Sequence, residues 1–190
     1  ILFSQSMDVR YHLHGFEAIA KRLASHTQTC VISFVDLYQK TRRNLRATTV
    51  REPSADEITR LAAGLASIAS SYGIRIQSCA ERIDLEPMGI RHGRCIDRML
   101  IEELQGARLN VARDRNQRPE CGCVQSVDIG VYDTCSHGCL YCYANTDTKT
   151  VCRNRGLHDL SSPLLIGRME EGDVVKERAI RSFKVSDALF

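Results

Sequence analysis

The stretch PSADEITRLAAGLASIASSYGIRIQSCAE, residues 53–81, contains a whole helix followed by a whole strand. Ser54 stands three residues before Glu57, which makes a capping box: the serine hydroxyl accepts from the third amide of the helix while the glutamate reaches back to the serine amide. Two of the donors that a helix start leaves open are satisfied in this way. Ile58, Leu61, Ala62, Leu65, Ile68, Ala69 and Tyr72 recur at helical spacing and give the helix one apolar stripe. Gly73 follows as the left-handed terminator, so the spacing predicts a helix from Ser54 to Tyr72. Residues 74–80 then alternate as a strand, with Glu81 just past its end.

The same order holds upstream. Leu13, Phe16, Ile19, Ala20 and Leu23 form a one-faced helix, with Lys21 and Arg22 on its other side. Residues 29–35, TCVISFV, are a β-branched and aromatic run expected to be a strand buried on both faces, with Cys30 an inert core residue. Asp36 ends that strand, where ligands gather in α/β sheets; it serves equally well as a cap for the next segment. Helix, strand, helix, strand in sequence describes βα repeats in a parallel sheet. The fold class expected is α/β, a partial (βα)-barrel-like parallel sheet with a cysteine-rich C-terminal metal-binding loop. The apolar opening Ile1-Leu2-Phe3 looks like the inside of a strand, and the chain is expected to be the C-terminal part of a larger barrel-like domain.

Downstream, a loop carries His92 and Cys95, and a short helix from Asp97 bears Met99, Leu100, Ile101 and Leu104 before stopping at Gly106. We divide the chain into α/β units over 1–107, a cysteine-rich cluster-binding region over 108–160 and a tail over 161–190, the last expected to be a helix or partly ordered from Met169. Lys40, Arg42, Arg43, Arg46 and Arg51 form a basic cluster without interleaved aromatics, which reads as a solvated face. A net charge of +3 over 190 residues gives no ground for nucleic acid or an anionic membrane as a partner. No apolar run approaches the roughly 20 residues of a membrane-spanning helix. Nine cysteines, an odd number gathered towards one end, fit ligand duty in a reducing compartment, and the location expected is cytoplasmic.

Residues 121–145, CGCVQSVDIGVYDTCSHGCLYCYAN, hold five of those nine cysteines. Cys135, Cys139 and Cys142 have C-x3-C-x2-C spacing, and Cys121 and Cys123 form a separate CGC pair. Thiolates set this densely repel one another unless a cation neutralises them, and sulfur ligands select zinc or an iron-sulfur cluster. Three thiolates hold three irons of a [4Fe-4S] cube and leave the fourth iron without a protein ligand. Cys79, Cys95, Cys121 and Cys123 are four further thiols, the number that a second cluster or a structural zinc needs. Cys79 ends a strand and Cys95 lies in the next loop, so both can face the sheet edge to which the cysteine loop comes. Asp128 and Asp133 are expected to brace the turns of the loop; His137 within it faces solvent, while His92, His158 and Cys152 have no assigned partner.

The triplet, with Tyr141 before Cys142 and Tyr143-Ala144-Asn145 after it, resembles the cluster motif of radical S-adenosylmethionine enzymes. The longer pattern, Cys79-Ala80-Glu81, HGRCID around Cys95, NQRPECGC, SVDIGVYDTCSHGCLYCYAN and SPLLIG, is similar to the C-terminal half of an uncharacterised bacterial family, a domain of unknown function. The resemblance implies a [4Fe-4S] cluster on Cys135, Cys139 and Cys142, S-adenosylmethionine at the open iron, an unknown substrate and an electron donor. It also implies an N-terminal half of comparable size. Two departures stand beside it. The triplet comes after the βα units instead of after the first strand, and no glycine-rich stretch for the amino group of the cofactor is evident. A structural zinc or iron-sulfur module, its basic surface engaging nucleic acid or protein, and an electron-transfer protein remain the alternatives.

Overall fold

The computed structural model describes residues 1–185. It divides into two compact units, one of Ile1–Asp36, Thr49–Ser126 and the residues from Phe183, the other of Leu37–Thr48 and Val127–Ser182.

In the first unit, α1 (Val9–Leu23) starts at Asp8, whose carboxylate accepts from the Tyr11 amide at 2.8 Å. Lys21 and Arg22 complement the dipole in its last turn. Helix α3 (Ala55–Ser71) has the expected capping box, with Glu57 N to Ser54 Oγ at 3.2 Å and Ser54 N to Glu57 Oε2 at 2.9 Å. It ends as expected too, Gly73 lying at φ +67° and the Ile74 amide returning to Ala69 O at 2.9 Å. Strands β1 (Thr29–Ile32), β2 (Arg75–Ser78) and β3 (Arg91–His92) pair in parallel in the order β1-β2-β3, with Cys30 opposite Ile76 and Gln77 opposite Arg91. The sheet is therefore a small open one, and among the described residues nothing closes it into a barrel. A short 3₁₀ turn (Glu86–Met88) lies between β2 and β3, and α4 (Arg98–Gln105) comes after them, capped by Asp97 and ended by Gly106 at φ +59°.

The core is the buried face of α3, Ile58, Leu61, Ala62, Leu65 and Ala69, against Phe3, Ile32, Ile74 and Ile76, with Leu13 and Phe16 of α1 closing it from outside. Two expectations on β1 need correction. The strand is not buried on both faces, since Val31 is 44% exposed. Asp36 does not cap the next helix, whose N-cap is Tyr38; it is paired with the Arg118 guanidinium. Ile1 lies beside the extension of β1: its amino group donates to Ser33 O, and the Val35 amide donates to Ile1 O at 2.9 Å. Phe3 makes an antiparallel bridge to Arg51 and is fully buried.

In the second unit, α2 (Gln39–Asn44) and α5 (Thr148–Gly156) flank the cysteine loop. Helix α5 has no counterpart among the elements expected from the sequence. Of the two expectations for the tail, the helix is not formed: from Met169 to Phe183 the chain has a turn and otherwise no regular structure, and Leu109 bridges Lys184 within the first unit. Among the described residues no helix is long and apolar enough to cross a membrane.

The start of α3 supplies a pH-dependent contribution. Arg51 donates two bonds to Glu57, at 2.6 and 2.7 Å, and these together with the Ser54 amide hold the Glu57 carboxyl down to about 2 from its ordinary 4.5. A depressed carboxyl contributes stability above its unfolded pKa and loses it as pH falls through the folded one. Acid titration of stability is expected to steepen between pH 4.5 and 2, and Glu57→Gln is expected to flatten that limb in urea midpoints. An unchanged slope would remove Glu57 from the account.

Candidate metal centre

Four cysteines of the first unit come together although 44 residues separate the first from the last. Cys79 directly continues β2, its amide donating to Ile32 O at 2.9 Å. Ala80 then turns the chain at φ +50°. The Gly93 amide bonds Ser78 O at 2.7 Å, which returns the chain past the end of β2 and brings Cys95 alongside Cys79, Sγ to Sγ 3.1 Å. Both sulfurs belong to free thiols.

The CGC pair is carried there by a short antiparallel pairing. Arg113 bridges Val124, the Asp114 amide donates to Cys123 O at 3.0 Å, and Gln125 N donates to Ala112 O at 2.9 Å. The other edge of this hairpin joins the Cys95 loop: Val124 N donates to Ile96 O at 3.2 Å, and Ile96 N donates to Cys123 Sγ at 3.3 Å. Arg113 Nε holds Cys121 O at 2.8 Å. Gly122 lets the Arg94 side chain lie close between the two cysteines: a Cβ there would stand 3.0 Å from both its Cγ and Nε, so a larger residue would have to displace it. Cys121 and Cys123 are buried with Ala80, and Cys79 packs against them.

The electrostatics reflect this crowding. Burial, then the Cys95 thiol and the charges of Cys95, Cys121 and Cys123, push Cys79 up to about 12. Burial likewise raises Cys121, with Cys123 and Cys95 adding to the shift against the lowering effect of a Cys123 backbone bond. Near neutral pH Cys79 and Cys121 stay protonated on their own; a bound cation would reverse that balance.

The triplet lies in the second unit. Cys135, Cys139 and Cys142 line one cavity of about 160 Å³ together with Asn44, Asn145 and Asp147. Cys135 and Cys139 are exposed and Cys142 is half-buried. The Cys142 amide returns to Cys139 O at 2.9 Å, and Gly138, at φ +64°, supplies the left-handed turn between Cys135 and Cys139.

The rim of this loop is cross-braced. Asn145 Nδ2 donates to Cys135 O at 2.6 Å, Asn44 Nδ2 donates to Leu140 O at 3.3 Å, and Lys40 Nζ donates to Asn145 O. Lys40 thus leaves the solvated face expected for the basic cluster and serves the loop. Asp133, itself at φ +59°, accepts from the amide and hydroxyl of Thr146, and Asp128 accepts from Gly130 N at 2.7 Å, as expected of turn-bracing carboxylates. Helix α5 adds Arg155, donating to Ser136 Oγ at 2.7 Å, and Asn154, donating to Asp133 O at 3.1 Å. The signal for α5 is Asp147, whose carboxylate takes both the amide and hydroxyl of Thr150; without an apolar stripe beside it, only this cap marks the start.

Among the described residues, no three or more Cys, His, Asp or Glu side chains are already drawn around a common point that a metal would fill. His137 is exposed as expected, His92 Nε2 is bonded to Glu120 O, and His158 Nδ1 to Leu165 O at 3.0 Å; Cys152 is exposed on α5.

Fold and cysteines together define a mixed α/β protein with two separate thiol groups, four at the C-terminal edge of a small parallel sheet and three in a braced loop. The chain belongs to the family described as a domain of unknown function, DUF1848, whose model matches residues 1–144 and so includes all seven of these cysteines. No curated protein and no solved structure matches it.

Proposed function

We propose that the chain is an iron-sulfur protein of radical S-adenosylmethionine type, with a [4Fe-4S] cluster on Cys135, Cys139 and Cys142. The observation that carries this reading is that the three cysteines line a single cavity in which they are the only sulfur donors among its lining residues. Three thiolates suit a cube that keeps one iron open to an exogenous ligand. When bound, such a cluster supplies one-electron reduction of the sulfonium of S-adenosylmethionine.

The residues of the chain have the tasks of holding and orienting. Gly138 and the Cys142-to-Cys139 backbone bond fold the triplet into a compact loop. Lys40, Asn44 and Asn145 fix the backbone on which the thiols stand, by bonds to carbonyls that leave the sulfurs free. Exposure of Cys135 and Cys139 leaves a path for a small molecule to reach an open iron.

The test is anaerobic isolation with iron and sulfide analysis, then addition of S-adenosylmethionine and dithionite. About four irons and four sulfides on the triplet, and formation of 5′-deoxyadenosine, are expected. Colourless protein with zinc on Cys135, Cys139 and Cys142 would overturn the cluster, and an iron-loaded protein forming no 5′-deoxyadenosine would leave electron transfer in its place.

A further inference from the structure

We infer that Cys79, Cys95, Cys121 and Cys123 form a second, closed site that binds one zinc ion. It stands on residues separate from the triplet and does not depend on what the triplet binds.

Three observations carry it. Four thiols from three chain segments, the end of β2, the loop after β3 and the CGC turn, are brought near one another largely by backbone pairing. The Val124-to-Ile96 bond and the Gly93-to-Ser78 bond fix the spacing of those segments before any metal arrives. The thiols also leave no vacancy for a substrate: four sulfur ligands complete a tetrahedral zinc, the pattern of structural sites.

The spacing of the Cys79 and Cys95 sulfurs suits a single ion better than a cube. Zinc-sulfur bonds of about 2.3 Å in a tetrahedron put ligand sulfurs about 3.8 Å apart. Cys79 Sγ and Cys95 Sγ are at 3.1 Å, so a small opening of the pair admits one ion. Thiolates on different corners of a cube stand much further apart, because each lies outside its own iron. The pair is also well beyond a disulfide bond, about 2.05 Å.

The surroundings suit a site carrying negative charge. Four thiols bind zinc as thiolates and release their protons, leaving a doubly negative complex. Ile96 N already donates to Cys123 Sγ at 3.3 Å, the kind of amide-to-sulfur bond that steadies a ligating thiolate. Arg94 lies against Gly122 between the two CGC thiols, and Arg113 grips Cys121 O. The site would knot the end of the sheet to the CGC hairpin.

The experiment uses the whole chain carrying Cys135→Ser, Cys139→Ser and Cys142→Ser, isolated anaerobically, stripped with chelator and titrated with zinc. One zinc per chain is expected, with alkylation at Cys79, Cys95, Cys121 and Cys123 slowed at least tenfold while Cys30 and Cys152 are unaffected. Cobalt in place of zinc is expected to give the intense sulfur charge-transfer and visible bands of a four-thiolate tetrahedron. Unaltered alkylation of the four thiols in zinc, a Cys79–Cys95 disulfide, or labile sulfide at this site would each overturn the inference. Should the triple variant not fold, the same alkylation map on the unaltered chain decides between these outcomes. Cys121→Ser is expected to lose the zinc and keep the iron of the triplet, which separates failure here from failure of the cluster.

Discussion

Replacing Cys139 with Ala is expected to take the anaerobically isolated chain from about four irons to almost none, with its sulfide and its visible absorption. The thiol is the middle member of C-x3-C-x2-C, and its loss leaves Cys135 and Cys142 as two ligands to a cube that needs three. Its side chain is exposed, so truncation removes little packing, and far-ultraviolet circular dichroism is expected to stay the same. Two other cysteines supply the contrast. Cys30→Ala trims a half-buried residue of β1 that packs on the core, at a cost of about 1 kcal/mol or less, with iron content unchanged. Cys152→Ala removes an exposed thiol of α5 and is expected to alter neither iron nor stability. Equal loss of iron from Cys30→Ala and Cys139→Ala would mean that the iron reports folding and not ligation.

The contrast among these cysteines shows what could be read before the structure. Helix α3 was legible because three independent signals agree on it: the Ser54–Glu57 box, the stripe from Ile58 to Ala69, and Gly73. The parallel sheet could be inferred from the order of elements, while its extent could not. Residues 29–35 are a β-branched and aromatic run that reads as buried on both faces, yet what packs on each face decides burial: Ile32 is in the core while Val31 stands open. Strand β3 has two residues, too few for any period. That Cys79 and Cys95 meet could be argued from a strand end and the loop after it, whereas arrival of the CGC pair depends on the pairing of residues 112–114 with 123–125, segments too short and mixed in character to announce a strand. Lys40 is the clearest loss. A lysine in a basic run has no sequence mark that says its ammonium will hold Asn145 O, more than 100 residues away.

Leu61→Ala is expected to lower the stability of the first unit by about 3 kcal/mol, within the range for a fully buried leucine. Leu61 is 0% exposed in the middle of α3, with Leu65 one turn on and both strands beneath in the same cluster, so the void it leaves cannot be filled by solvent or by a short side-chain movement. Leu104→Ala is the matched control: it removes the same atoms from α4, where the leucine is 75% exposed, and its effect should stay within about 0.5 kcal/mol. Sequence pattern does not separate the two, since each leucine lies on the apolar stripe of an amphipathic, well-capped helix. Burial separates them, because the stripe of α3 faces the sheet whereas Met99, Leu100 and Leu104 of α4 stand open. Against a typical total of about 5 to 15 kcal/mol, the loss at Leu61 is a large share, and urea unfolding tracked by circular dichroism should show a lower midpoint with an unchanged slope. Equal midpoints for the two variants would mean that α3 is not the element on which the sheet is assembled, and the placement of Cys79 at the end of β2 would lose its foundation with it.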